Sequence, residues 1–229
     1  WVVYTLISVC CVLGYQWAGM TWLDAIMHMF STMGLGGFSS HDASYGYFNS
    51  PAIEAVAILF MLIAGCNFAT HYVILSGRSL RPYATDPEAG MFLLVTLGSV
   101  VGIAIFLDVH EVYPTFSEAL RFSAFNVVSI ATTTGFANTD YALWPFFAPL
   151  WMLFLSSFAT SAGSTGGGIK MIRAIVLYKQ VYRELARAMH PNAVHPVKVG
   201  NEVVPPNILF AVLADASLTV NIGECVVLH

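Results

Sequence analysis

The chain has 229 residues, 57% of them hydrophobic and only 10% charged, with a formal net charge of −4 and a mean hydropathy of +0.72. A soluble domain is about 25% charged, so this balance excludes a soluble globular fold and predicts an all-α polytopic membrane protein embedded in a lipid bilayer, with no nucleic-acid partner. Cys10, Cys11, Cys66 and Cys225 lie in apolar surroundings at no metal-ligand spacing and read as small buried hydrophobes. The chain opens on an apolar run without a basic leader, so no cleavable signal peptide is expected, and Trp1 in place of an initiator methionine predicts a preceding N-terminal piece.

A spanning helix needs roughly 20 mostly apolar residues. Residues 2–19 form a first candidate. Residues 21–30 are apolar but only half a bilayer long, which suits a re-entrant half-helix. The segment Phe30-Ser-Thr-Met-Gly-Leu-Gly-Gly-Phe38 follows. Residues 51–75 form a second span carrying Glu54, Asn67 and His71, and Arg78 and Arg81 lie in the link after it. Ionisable groups within a span are functional candidates by default, although His71 and Glu54 could equally sit near an interface. Residues 91–107 form a third span, and 115–128 a second half-helix. A matching segment, Val128-Ser-Ile-Ala-Thr-Thr-Thr-Gly-Phe136, comes next. Residues 143–158 begin a fourth span, which then breaks. The order span, half-helix, Gly/Thr loop, span thus occurs twice.

Each loop reads as half of a selectivity filter. Irregular backbone at membrane depth is tolerated only where it is buried in protein or lines a watery path. A half-helix aims its partly negative carbonyl end toward the membrane centre, which favours a cation. The glycines permit unusual backbone angles, Thr132, Thr133 and Thr134 can add hydroxyl oxygens, and oxygen ligands suit hard cations. Two tight Gly/Thr packing turns are the plain alternative, weakened by the match between the loops. Two loops cannot surround an ion, so further copies are needed.

The fourth span is interrupted by Phe158-Ala-Thr-Ser-Ala-Gly-Ser-Thr-Gly-Gly-Gly-Ile-Lys-Met-Ile-Arg173. Gly163, Gly166, Gly167 and Gly168 break a helix, while Ser161, Ser164 and Thr165 can satisfy freed backbone groups. Broken helices at this depth mark substrate pathways, which suggests a mobile plug; a packing kink is the alternative. A phosphate-binding loop is disfavoured, because the glycine spacing before Lys170 is wrong and Met171 stands where Ser or Thr belongs. The stretch 169–189 reads as a basic helix with Lys179, Arg183 and Arg187 on one face, suited to anionic lipid, a cytosolic partner or plain solvent. Eight of the nine basic residues fall at one end of the spans, which should be cytoplasmic. Asp42, Asp108, Glu111 and Asp140 then lie near the outer mouth, where acidic groups raise the local cation concentration; ordinary solvated loops are the plain alternative, favoured for any single one of them.

At these residues the chain resembles the Trk/Ktr/HKT superfamily of potassium transporters, most closely the TrkH type. Ser129 to Phe136, continuing through Thr139-Asp140 to Trp144-Pro145, is similar to the family's third filter. Ser31 to Phe38, with His41-Asp42, is similar to the second. Ala162 to Arg173 resembles the intramembrane gating loop, and His190 to Val194 with Pro196-Val-Lys198 the cytoplasmic link. The resemblance implies four span–half-helix–span repeats around one pore, a homodimer, and a cytosolic nucleotide-binding regulatory subunit. On that template Gly34, Leu35, Gly36 and Gly37 supply one quarter of a potassium filter, and Thr132, Thr133, Thr134 and Gly135 another. The loop from Thr160 to Gly168, with Lys170, closes the pore from below. Leu35 departs from the pattern, since the family commonly has a hydroxyl residue there.

The expected organisation is a second repeat at 1–76, a cytoplasmic link at 77–90, a third repeat at 91–189, a link at 190–204, and the start or remnant of a fourth repeat at 205–229. The expected function is potassium uptake by selective permeation across a bacterial or archaeal inner membrane, with potassium as permeant ion, no covalent cofactor and no catalysis. A sodium-coupled relative and a non-conducting scaffold are the alternatives.

Overall fold

A computed structural model describes residues 1–77, 81–189, 198–199 and 202–203. The expectations for the link at 190–204 and for 205–229 fall, those four strand residues apart, outside the described residues. Helices follow in the order α1 Val2–Trp17, α2 Trp22–Met33, α3 Pro51–Gly65, α4 Phe68–Gly77, α5 Arg81–Thr85, α6 Pro87–Val109, α7 Phe116–Ala131, α8 Phe147–Ser156 and α9 Met171–Met189. The one strand pairing among the described residues is a two-residue antiparallel contact, Lys198–Val199 with Glu202–Val203. The architecture is therefore helical, as the composition requires.

The helix starts are written in the sequence. Thr21 caps α2 by accepting the Asp24 amide at 3.2 Å, and Thr115 caps α7 by accepting the Glu118 amide at 3.3 Å. Such caps stabilise a helix by about 1 kcal/mol. Asp86 Oδ1 accepts the amides of Glu88 and Ala89, with Pro87 in the first turn of α6. That cap starts α6 ahead of the apolar run, so it reaches 23 residues. Helices α2 and α7 stand at the positions of the two expected half-helices.

The second span differs from its expectation. It breaks after Gly65, and α3 and α4 meet at 96°. Cys66 turns extended at the end of α3. Asn67 then opens a new helix by accepting the Ala69 amide on Oδ1, and the Phe68 amide donates to the Gly163 carbonyl at 3.2 Å. Two partners outside the α3 ladder thus compensate the break.

Among the described residues, α6 is the one unbroken helix long and apolar enough to cross a bilayer, while α1 and α8 are shorter apolar helices. On α6 the exposed stripe is Met91, Leu94, Leu97, Val101 and Ile105, whereas Thr96 and Ser99 are buried with Phe92, Ile103 and Leu107. This reverses the polarity of a helix on a soluble protein and matches a lipid-facing stripe.

Candidate functional site

Loops 34–38 and 132–136 follow the C-termini of α2 and α7 with the same backbone trace. The amides of Gly34, Leu35 and Gly36 donate to the carbonyls of Phe30, Thr32 and Ser31 at 3.0, 3.2 and 2.8 Å. Those of Thr132, Thr133 and Thr134 donate to Val128, Ile130 and Ser129 at 2.9, 2.9 and 2.8 Å. The sign of φ alternates in step: Gly34 and Thr132 are right-handed at −82° and −81°, Leu35 and Thr133 are at +50° and +60°, and Gly37 and Gly135 are at +71° and +91°. A positive φ is strained for leucine and more so for β-branched threonine, and strain of this kind collects at functional sites. Among the described residues, no carbonyl of Gly34 to Gly37 or Thr132 to Gly135 accepts a hydrogen bond.

The hydroxyls are engaged elsewhere. Thr132 and Thr134 Oγ1 pair with each other at 2.7 Å, and both side chains are buried. The carbonyls are thus the oxygens left for a ligand in the second loop, as they are at Leu35 in the first. The two loops touch directly: a Cβ on Gly37 would collide with the Thr134 carbonyl oxygen. Gly34, Gly36 and Gly135 are exposed.

The Gly-rich segment lies against both loops. Thr165 Oγ1 donates to the Met33 carbonyl at 2.9 Å, and the Gly167 amide donates to Thr133 Oγ1 at 2.8 Å. A Cβ on Gly166 would collide with the Thr160 side chain and lie 3.1 Å from the Thr132 carbonyl, so only glycine lets the segment approach the loop this closely. The segment is tied internally and to α3. Thr160 Oγ1 donates to the Gly167 carbonyl at 2.8 Å. The amides of Ser161 and Thr165 reach the carbonyls of Gly65 and Ala64. Ser164 Oγ donates to Ser161 O at 2.6 Å. Gly163 accepts from Phe68, and Gly168 (φ +82°) packs on the Ser157 carbonyl. Lys170 folds back over its own segment, with Nζ 2.5 Å from the Gly166 carbonyl.

Several supporting residues had little or no sequence signal as site residues. His28 is buried behind the first loop, with Nδ1 2.8 Å from Asp24 O and Nε2 2.9 Å from Ser39 Oγ. Tyr45, Tyr15 and Thr32 form a buried hydroxyl chain with links of 2.7 and 2.6 Å. Glu54 forms a two-pronged ion pair with Arg121 of α7, at 2.8 and 2.7 Å, so one of the two intramembrane ionisable candidates ties α3 to the second half-helix. The other, His71, lies beside the α3–α4 break. Burial, helped by Cys66 and Asp86, pushes the Tyr83 hydroxyl up to about 12. Tyr83 therefore keeps its proton and donates to His71 Nδ1, which leaves Nε2 to donate to the Ile63 carbonyl at 2.9 Å. Among the described residues, no group of three or more His, Cys, Asp or Glu side chains is placed to hold a metal ion.

Residues 1–223 match the family model described as "Cation transport protein" under the name TrkH. The chain is 48% identical over 212 residues to the Trk system potassium uptake protein TrkH of Salmonella typhimurium, covering 93% of this chain and 44% of that protein. It is 36% identical to the Trk system potassium uptake protein TrkG of Escherichia coli, again over 93% of this chain and 44% of the relative. The crystal structure of the potassium transporter TrkH from Vibrio parahaemolyticus superposes with a TM-score of 0.91 at 41% identity, over 95% of this chain and 47% of that one. The chain spans a little under half the length of the relatives it matches.

Proposed function

Because this chain belongs to the TrkH family of cation transport proteins, we propose that it forms two adjacent quarters of a potassium-selective uptake pore. The observation that carries this reading is the residue-by-residue match between the two loops, each alternating in φ sign and each presenting carbonyls free of hydrogen bonds. In an extended chain successive carbonyls point to opposite sides; alternating the sign of φ turns them toward one side. A row of carbonyls on one side replaces the hydration shell of a permeating ion, and neutral ligands bind weakly enough to release it. The name shared by the relatives, potassium uptake protein, favours potassium as that ion.

In this reading residues 1–76 and 91–189 are the second and third of four repeats. The site is then completed by quarters of the same kind, and the Gly-rich segment is a gate below the filter. The assembly is a multi-pass protein of the bacterial inner membrane and a homodimer, regulated by a cytosolic nucleotide-binding subunit. The test is Gly135→Val in the full-length transporter, followed by potassium and sodium uptake in cells lacking other potassium uptake systems. Potassium uptake should fall at least about tenfold, the rate equivalent of about 1.4 kcal/mol. Unchanged uptake with unchanged preference for potassium over sodium would overturn the filter assignment.

A further inference from the structure

Glu88 lies in the first turn of α6, away from both filter loops in sequence, yet it is 6% exposed. Its Oε1 accepts the Ala162 amide at 2.5 Å and the Ile172 amide at 3.1 Å. Ala162 lies just before the glycines of the Gly-rich segment, and Ile172 is in the first turn of α9. One carboxylate oxygen therefore ties together the two ends of the segment that presses on Met33 and Thr133. The positive end of α9, to which Ile172 belongs, and the nearby Lys170 ammonium offset part of the cost of burying a carboxylate there. Hydrogen bonds to an ionised acceptor are about twice as strong as neutral ones.

The span expectations began at Met91 and so left Glu88 in the link before the membrane. In the structure the acid is folded inward, against the first turn of α9. Along α9, among its described residues, Met171 and Val176 are buried, while Tyr178, Val181, Tyr182, Leu185 and Met189 are exposed. A displacement of α9 acts first on the Ile172 bond and then, through the same oxygen, on Ala162.

We propose that Glu88 is the positioning residue that latches the Gly-rich segment shut and couples its release to movement of α9. The proposal rests on the reading of that segment as a gate. Cys66 supplies a native reporter: it is 4% exposed and adjoins Gly65 and Ala64, whose carbonyls hold the segment through Ser161 and Thr165.

The experiment measures the rate at which a thiol reagent modifies Cys66, identified by mass spectrometry, together with potassium flux, in the full-length transporter in membranes. Glu88→Ala removes the shared acceptor. Ile172→Pro removes only one donor, at a first-turn position where proline is tolerated. Each should speed Cys66 modification about tenfold and raise flux, the scale of one lost charge-assisted hydrogen bond. Glu88→Gln keeps an acceptor oxygen and should have a smaller effect. The double variant should exceed neither single, because both break one latch. Unchanged Cys66 modification in Glu88→Ala, or effects of Glu88→Ala and Ile172→Pro that multiply, would overturn the latch. If Glu88→Ala does not fold, Ile172→Pro decides alone. Deleting residues 166–168 separates the two readings. A leaky deletion beside a silent Ile172→Pro removes the latch and keeps the gate. Faster Cys66 modification in the point variants beside a deletion without leak keeps the latch and removes the gate.

Discussion

Thr133 carries two roles in one residue. Its backbone holds the left-handed angle that sets the second loop, and its hydroxyl accepts the amide of Gly167. Thr133→Val keeps the shape and β-branching, so the backbone strain is unchanged, and removes only the acceptor. The segment should loosen by about 1 kcal/mol, the net worth of one hydrogen bond, and resting potassium leak should rise severalfold while ion preference stays as it was. A leak equal to that of the unaltered protein would show that this contact holds nothing shut. Phe38 and Phe136 show how context separates equivalent residues. Phe136 is fully buried against Tyr45 and His28 of the preceding unit, and its carbonyl accepts Ser129 Oγ at 2.7 Å. Phe38 is 82% exposed, and among the described residues Ser31 Oγ, the counterpart of Ser129 Oγ, has no partner.

At the scale of elements, what fixes one unit against the other is the α3–α7 packing and the ion pair across it. Glu54 is 3% exposed and Arg121 26%, and Arg121 NH2 also donates to Asn49 Oδ1 at 3.1 Å. Removing one member of a buried pair leaves an uncompensated charge, at about 3–5 kcal/mol; partial exposure of Arg121 puts this pair toward the lower end. Arg121→Ala should therefore lower the melting temperature in detergent clearly. Replacing both residues by apolar ones of similar size should restore much of the loss. Equal melting of the single variant and the unaltered protein would reduce the pair to a surface contact.

For the whole molecule, the distribution of basic residues predicts the sense of insertion. Cysteines placed at Asp42 and at Lys179 should react with a membrane-impermeant reagent from opposite sides, Asp42→Cys from outside and Lys179→Cys only after the cells are opened. The reverse pattern would invert the pore and place the Gly-rich segment above the filter. In the expected orientation α5 and Tyr83 would lie on the cytoplasmic side.

The membrane class, the two half-helices and both Gly/Thr loops were legible because each rests on local chemistry. Apolar run length and glycine content act within a few positions of the chain. The break at Cys66 was not legible. The run 51–75 is mostly apolar, and one of the two partners that make the break tolerable, the Gly163 carbonyl, is roughly a hundred residues away in sequence. Nor was the pairing of Glu54 with Arg121, or the use of Glu88 at both ends of the Gly-rich segment, since a carboxylate announces that it needs a partner but not which one. The sequence alone determined that this chain lives in lipid and carries two copies of one pore-like loop. Only the tertiary structure decided that the copies touch at Gly37 and Thr134, that one segment presses on both, and which buried acid holds that segment. Those contacts join positions far apart in the chain, and they exist only once the helices have packed.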